Sequence, residues 1–492
     1  MQVEHNKAGV GAPVITWPAP AGEAPSPDFH VSVSGTPVFV YQARVRAEIL
    51  KNEGLWTHVH GCPGERASFV IFDMRAPVTV RVKPARAFKT AAVLPECALI
   101  APRLADGVVE FTLREPRKVT VLLDGDDSMA LHIFAGKPEE NIPSPDDPNV
   151  LYIGPGVHET TGVELKSGQT LYLAGGAVLR ARLKEKDTQG VYNEKWKVKF
   201  YSGTIFKLAN VKDVCIRGRG IVDASLIPHP GCPMLVFDGA RRVRVEGITL
   251  RDTANWNFVI GKSEDIEVCD IRIISGRLNS DGINSVNARR VHVSDCFVRN
   301  HDDSIVVKTT TPGMPSEDIL VEKCTVWNDW GYALGVTYET RSDVRRVVFR
   351  DNAVIHARHW CFGIRVSDSG TVEDITFADT AISDLTVARN DSRAVREALT
   401  RQPVLLHGAI VEDCWGHDTE RGRIRNVLLD GVTVYGARLP ASELHGVDEN
   451  HDIRGVTFRN VCLAGSPPIT DIAALRITRN EFVRDVRMSS GV

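Results

Sequence analysis

The 492-residue sequence lacks any apolar run of 18 residues, so it offers no candidate membrane-spanning helix. It also lacks an excess of either charge. Its 59 Lys+Arg stand against 62 Asp+Glu for a net charge of -3, without the basic patch that nucleic-acid or membrane-surface partners require. Aromatic residues are scarce at 7%, whereas hydrophobic residues reach 43%, which excludes general disorder and collagen-like structure and suffices for a large core. Ten cysteines are scattered without a CxxC pair, which excludes a disulfide scaffold and predicts reduced core thiols. The opening MQVEHNKAGVGAPVITWPAP has neither a basic n-region nor an apolar h-region, so the expected location is cytoplasmic.

What the sequence does have is a repeat. A β-branched or aromatic residue at alternate positions is followed by Asp, Asn or Gly and a second alternating pair. The pattern begins at Val243, Ile266, Val291, Ile319, Val347, Ile375, Val427 and Val456, at intervals of 23, 25, 28, 28, 28, 52 and 29 residues. The interval of 52 is close to two periods. Period-two alternation marks a short strand with one buried face. Such a unit cannot bury that face alone, but stacking one per coil at about 4.8 Å makes a continuous core. Cys296, Cys324 and Asn352 would stack in one such ladder. A second, offset ladder aligns Asp281-Gly282-Ile283, Asp303-Ser304-Ile305, Tyr332-Ala333-Leu334 and Phe362-Gly363-Ile364. The prediction is an all-β chain dominated by a parallel β-helix whose first coils lie in residues 150–183.

Residues before about 140 carry alternating strands, PVFVYQARV, APVTVRVKP, GVVEFTLRE and RKVTVLLDG, with sandwich-like turn spacing and no coil period. We therefore expect a β-sandwich over 1–145, the Pro/Asp-rich EENIPSPDDPN as linker, and the solenoid over 146–492. Residues 184–203 read as a charged insertion between coils, and 391–401 as a helix capped by Asp391 or Ser392.

Carboxylates concentrate where the two ladders meet. Asn279-Ser280-Asp281-Gly282-Ile283-Asn284 is followed one coil later by His301-Asp302-Asp303-Ser304-Ile305, so Asp281 and Asp303 fall one rung apart with Asp302 beside them. Asp and Asn are the ordinary turn residues of a solenoid. Three carboxylates in register are different, because mutual repulsion raises at least one pKa, as a general acid near neutral pH requires.

NSDGIN followed by DDSIVVK resembles the NTDGxD and DDCxAxK motifs of polygalacturonases, glycoside hydrolase family 28, whose fold is a right-handed parallel β-helix. VELKSGQTLYLAGGAVL, VKDVCIRGRGIVDAS and RRVRVEGITLRDTANWNF extend the likeness over roughly 150–465. A sandwich ahead of a β-helix is similar to the dextranase and isopullulanase family, family 49. The resemblance implies an inverting hydrolase of an oligosaccharide, with Asp302 as general acid and Asp281 and Asp303 as bases on water, and it calls for neither metal nor cofactor. Inversion asks for an acid–base gap of about 6.5–9.5 Å, which neighbouring rungs can supply.

Departures from the family pattern narrow the substrate. Tyr332 stands where the family has a catalytic-loop histidine, and a phenol does not titrate near pH 7. The uronate-binding RIK motif reads Arg365-Val366-Ser367, keeping the arginine and losing the lysine, so a neutral or weakly charged sugar is expected. Asn279, His301, Tyr332 and Arg365 are the candidate polar substrate contacts, and Trp256, Trp330 and Trp360 the candidate sugar platforms or, equally, caps of the coil edge. Lys308 is expected to close an ion pair rather than bind sugar. The missing leader suggests short, imported substrates and action at chain ends, with the insertion or the sandwich closing one end of the cleft.

Weaker signals are read plainly. His58-Val59-His60 is a solvent-facing strand rather than a metal site, and Gly154-Pro155-Gly156 and Gly218-Arg219-Gly220 are β-turns rather than phosphate loops. Cys414-Trp415-Gly416-His417-Asp418 is a candidate for the cleft rim. The competing readings are a polysaccharide lyase or transglycosidase on the same solenoid, and a non-catalytic carbohydrate-binding β-helix.

Overall fold

Alternating β-branched residues need a partner surface every second position, and the chain supplies it by winding on itself. In the computed structural model, which describes residues 12–46, 65–194, 198–385, 403–413 and 415–489, three parallel sheets of 12, 11 and 11 strands run the length of a solenoid. The predicted helix at 391–401, His58, His60 and Cys414 lie outside the described residues. Each coil places one strand in each sheet, and a strand returning in parallel through such a crossover winds right-handed. The all-β, right-handed parallel β-helix is thus the architecture of the larger part.

The repeat read from sequence is the first sheet. Val243, Ile266, Val291, Ile319, Val347, Ile375, Val427 and Val456 are consecutive register partners, and all are buried. The Asp/Asn/Gly position of each unit is its corner. Gly247, Asp270, Asp295, Lys323, Asp351, Asp379, Gly431 and Asn460 all have φ between 44° and 76°, the left-handed region that Gly, Asn and Asp tolerate best. The 52-residue interval is corrected here. Ile375 pairs directly with Val427, so the segment is one coil enlarged by excursions and not two coils. In the third sheet Ile283, Ile305 and Leu334 align as expected, but Leu334 pairs with Phe362, two residues earlier than the sequence alignment placed it.

Residues 184–203 are an insertion, as expected, and contain a small antiparallel hairpin of Val191–Asn193 and Val198–Phe200 that joins no coil sheet. The cysteines among the described residues are free. Cys232, Cys296, Cys324 and Cys361 are buried, whereas Cys97 is exposed because it lies in a short 3-10 turn with no buried residue.

The N-terminal part packs a six-stranded sheet on a five-stranded one, with Val31, Val80 and Val109 facing Val70, Val119 and Ile133 across the core. PVFVYQARV is not one strand: Thr36–Val38 joins the five-stranded sheet and Tyr41–Arg46 the six-stranded one. The last sandwich strand ends at Gly136 and the first coil strand starts at Val150. The sandwich lies against the outer face of the second solenoid sheet, through Tyr41, Phe69 and Phe134 on one side and Ile274, Phe297 and Trp327 on the other. It flanks the coils along this sheet.

Phe297 anchors this junction, fully buried with its ring 5.0 Å from Phe134 and 4.7 Å from His132. Phe297→Ala should cost about 3–5 kcal/mol. The check is the urea unfolding midpoint; an unchanged midpoint would mean that the two parts do not stabilise each other.

Candidate active site

The site forms at the corner between the second and third sheets, where Phe297–Asn300 hands over to Ile305–Thr309. Three asparagine side chains fix this corner by donating to backbone carbonyls. Asn257 Nδ2 donates to Ser280 O and Asp281 O at 3.1 and 3.0 Å. Asn300 Nδ2 donates to Ser280 O, Asp302 O and Asp303 O at 3.1, 2.9 and 2.8 Å. Asn328, the register partner of Asn300, donates to Asp302 O at 2.7 Å and Ser304 Oγ at 2.8 Å. A loop that would otherwise carry unpaired buried carbonyls is thereby satisfied from the strand ends beneath it. Sequence reasoning missed this ladder, although the Asn closing both FVRN and TVWN was its signal.

The corner brings Asp281, Asp302 and Asp303 together, with one oxygen of each within 4.8 Å of the others. That is tighter than the gap expected from neighbouring rungs, because Gly282 N donates to Asp303 O at 2.8 Å and draws the two corners into contact. Asp281 and Asp303 are buried, while Asp302 is partly exposed. Lys308 supports the pair from within: its Nζ lies 3.0 Å from Asp281 Oδ2 and 3.4 Å from Asp303 Oδ2, as the expected ion pair. Its ammonium also sits 4.6 Å from the Trp256 ring centroid.

The three carboxylates are not equivalent. Asp303 is fully engaged, accepting from Tyr332 N at 3.0 Å on Oδ1 and from Thr337 Oγ1 at 2.8 Å on Oδ2. Gly331 makes this possible, since its φ of +79° is left-handed and a Cβ there would come within 2.7 Å of Asp303 Oδ1. Asp281 keeps one buried oxygen, Oδ1, without a hydrogen-bond partner among the described residues. Its pKa is pushed up to about 6 by burial, against the pull of Lys308 and with a push from Asp303. Asp302 is raised well above the usual carboxylate range by burial and by the charges of Asp281 and Asp303, with the more distant Lys308 opposing. The cluster therefore separates a proton-holding carboxyl at the surface from lysine-stabilised carboxylates behind it.

Of the expected substrate contacts, Trp256, Trp330, Trp360, Asn279 and Arg365 line the corner edge and are partly exposed. Tyr332 and His301 are buried. Tyr332 is corrected from a sugar contact to a packing residue: its ring stacks on Trp360 at 4.4 Å and its hydroxyl lies 2.8 Å from His407 Nδ1. Rings continue along the edge, with His301 stacked on Trp330 at 5.7 Å and His359 edge-on to Trp330 at 4.6 Å. His359, His407 and Thr337 were not anticipated, because each reaches the corner from a different coil and none forms a local motif. Trp330 also pairs through its backbone with Asp302.

Lys308→Met should be most harmful at neutral pH. Without the ammonium, the folded-state pKa of Asp281, already raised to about 6 by burial, rises further above its unfolded value, so stability is retained at low pH and lost as pH climbs from the unfolded value toward the folded one. The expected loss is about 3–5 kcal/mol at pH 7.5, shrinking toward pH 4.5. Denaturant midpoints at the two pH values check this, and a pH-independent loss would refute it.

The model of Glycosyl hydrolases family 28 matches residues 230–388, which contain all three carboxylates. "Probable polygalacturonase" of Vitis vinifera is 23% identical over 145 residues, 27% of this chain and 29% of that protein. "Polygalacturonase" of Chamaecyparis obtusa is 26% identical over 86 residues, 17% of each chain. The chain thus spans less than a third of the length of these curated relatives. Among solved structures, Dex49A from Penicillium minioluteum shares the fold along nearly the whole of both chains, with TM-score 0.62, 13% identity and coverage of 98% and 99%. Residues 230–388, which carry the three carboxylates, thus resemble glycoside hydrolase family 28, and the chain shares its overall fold with Dex49A.

Proposed function

We propose that the protein hydrolyses the O-glycosidic bond of an oligosaccharide in a single displacement with inversion. The observation that carries this reading is the division of labour within one cluster: Asp302 is raised and reaches solvent, while Asp281 and Asp303 are buried on Lys308. Asp302 delivers its proton to the glycosidic oxygen as the bond to the anomeric carbon breaks. A water held at Asp281 Oδ1 attacks that carbon and gives its proton to Asp281. Asp303, with both oxygens occupied, keeps the pair negative and holds the geometry. The burial of Asp281 supports water delivery over direct attack, since a buried carboxylate meets a water more readily than a sugar carbon.

Retention is the second reading, and the tight spacing favours it: oxygens within 4.8 Å are closer than the separation typical of inverting pairs. The anomer formed first, read by NMR, separates the two.

Action at chain ends or on short chains has its own support. Tyr201, at the end of the insertion, donates its N–H to Pro230 O at 3.1 Å, and Gly231 N–H donates to Ala254 O at 2.9 Å, two residues before Trp256. The insertion thus backs the loops on the N-terminal side of the corner and leaves less room for a long chain there.

Asp302→Asn should lower kcat by at least about 100-fold with the fold intact by circular dichroism. Near-wild-type turnover would remove Asp302 from the acid role. In the wild type, kcat/KM should fall below a pH of about 6 as Asp281 gains its proton, and fall again at higher pH as Asp302 loses its own. A pH–rate profile without the acid limb would exclude Asp281 as base.

A further inference from the structure

Arg365 lies in the third-sheet strand Trp360–Val366 just after Ile364, the register partner of Val336, and so one rung beyond Thr337, whose hydroxyl holds Asp303. Its guanidinium lies over the ring of Tyr338, 4.9 Å from the centroid, and Tyr338 also feels the charges of Asp303 and Asp302, which puts Arg365 on the same edge as the carboxylates. A free arginine there would favour an anionic sugar. Arg365 is not free: its Nη2 is hydrogen-bonded to Asp413 Oδ2, with side chains 20% and 10% exposed. The other oxygen of Asp413 accepts from Trp415 N at 2.9 Å, so the carboxylate is fixed by its own loop and needs nothing from a substrate.

The site's second cation is likewise occupied, since Lys308 is shared between Asp281 and Asp303. Among the described residues at this corner, with Asp302 protonated, Asp281, Asp303 and Asp413 outnumber Lys308 and Arg365. A carboxylate on the substrate would enter a net-negative, partly buried site and compete with Asp413 for the guanidinium. A neutral ring meets no such opposition.

We propose that Asp413 is the specificity-determining residue of this site: by neutralising Arg365 it selects an uncharged sugar ring and rejects a uronate. This rests on the hydrolase reading above for the location of the ring, and it deepens that reading by naming the substrate class. Sequence inspection found the retained arginine and the missing lysine but not Asp413, which lies 48 residues from Arg365 on a loop outside the repeat.

The test uses matched pairs of oligosaccharides that differ only at C6: galacto- against galacturono-, gluco- against glucurono-, and manno- against mannuronooligosaccharides. Binding is measured by calorimetry and turnover by reducing-end release, with the full-length protein. Wild type should bind the neutral member of its preferred pair more tightly. Asp413→Asn keeps an oxygen for Trp415 N and removes the charge, and should raise the uronate-to-neutral ratio of affinities at least about 10-fold. Asp413→Asn combined with Arg365→Met should lose that gain, which separates an unmasked guanidinium from a loosened loop. If sugars bind and the ratio is unchanged in Asp413→Asn, or the wild type prefers the uronate, the specificity assignment is overturned while the hydrolase reading stands. Binding with the expected preference but without turnover supports the assignment and overturns only the hydrolase reading; no binding by any pair overturns both.

Discussion

One ammonium group, that of Lys308, is the constraint on which the carboxylate corner depends. Two coils of the solenoid each bring a carboxylate to the same few ångströms, and burial of both as anions would be prohibitive without a counter-charge. Lys308 comes from the strand that begins just after the second of them, so the residues that create the repulsion and the residue that relieves it are carried by one short stretch of chain. Because it lies on the Asp281–Asp303 side, its stabilisation is uneven. Asp302 feels the two anions more than the cation, and the difference between a proton donor and its carboxylate neighbours follows from that asymmetry.

Much of the solenoid was legible because its physics is local and repeated. A strand buried on one face must alternate, and a left-handed corner must be Gly, Asn or Asp more often than not, so Val243 through Val456 and the corner residues could be aligned by eye. The failures have equally definite causes. Aligning Leu334 with Ile364 instead of Phe362 is an error of two residues, and a slip of two leaves every side chain on its own face, invisible to hydrophobic alternation. The 52-residue interval was taken for two coils because excursions from a corner leave the strands on either side unchanged.

The candidate site divides in the same way. Asp281, Asp302, Asp303 and Lys308 lie in two short motifs and were visible as such. Asp413 and His407 belong to a later, enlarged coil, where no period points to them. Tyr332 was visible but misread, because its sequence position matches that of the other corner residues while its burial depends on Trp360 in the next rung, which covers it.

The sandwich is connected to this site by more than apolar packing. Arg299, fully buried beneath the corner, lies 4.2 Å from the centroid of the Trp327 ring, and its Nη1 is 3.2 Å from His132 Nε2 of the sandwich. Thr120 fixes the other imidazole nitrogen at 2.8 Å, and burial, reinforced by the Arg299 charge, holds the His132 pKa well below its usual value, so the ring accepts as a neutral base. Arg299 Nε reaches Asp329 Oδ2 at 3.4 Å, and Trp327 Nε1 donates to Asp329 Oδ1 at 3.0 Å. Asp329 is flanked by Asn328, which holds the Asp302 carbonyl, and by Trp330, which pairs with the Asp302 backbone. A buried arginine of the solenoid is thus satisfied partly by a histidine that only the sandwich supplies. The loop carrying Asp302 is built on that arginine's carboxylate partner, so the N-terminal part completes the support of the carboxylate corner from outside the coil.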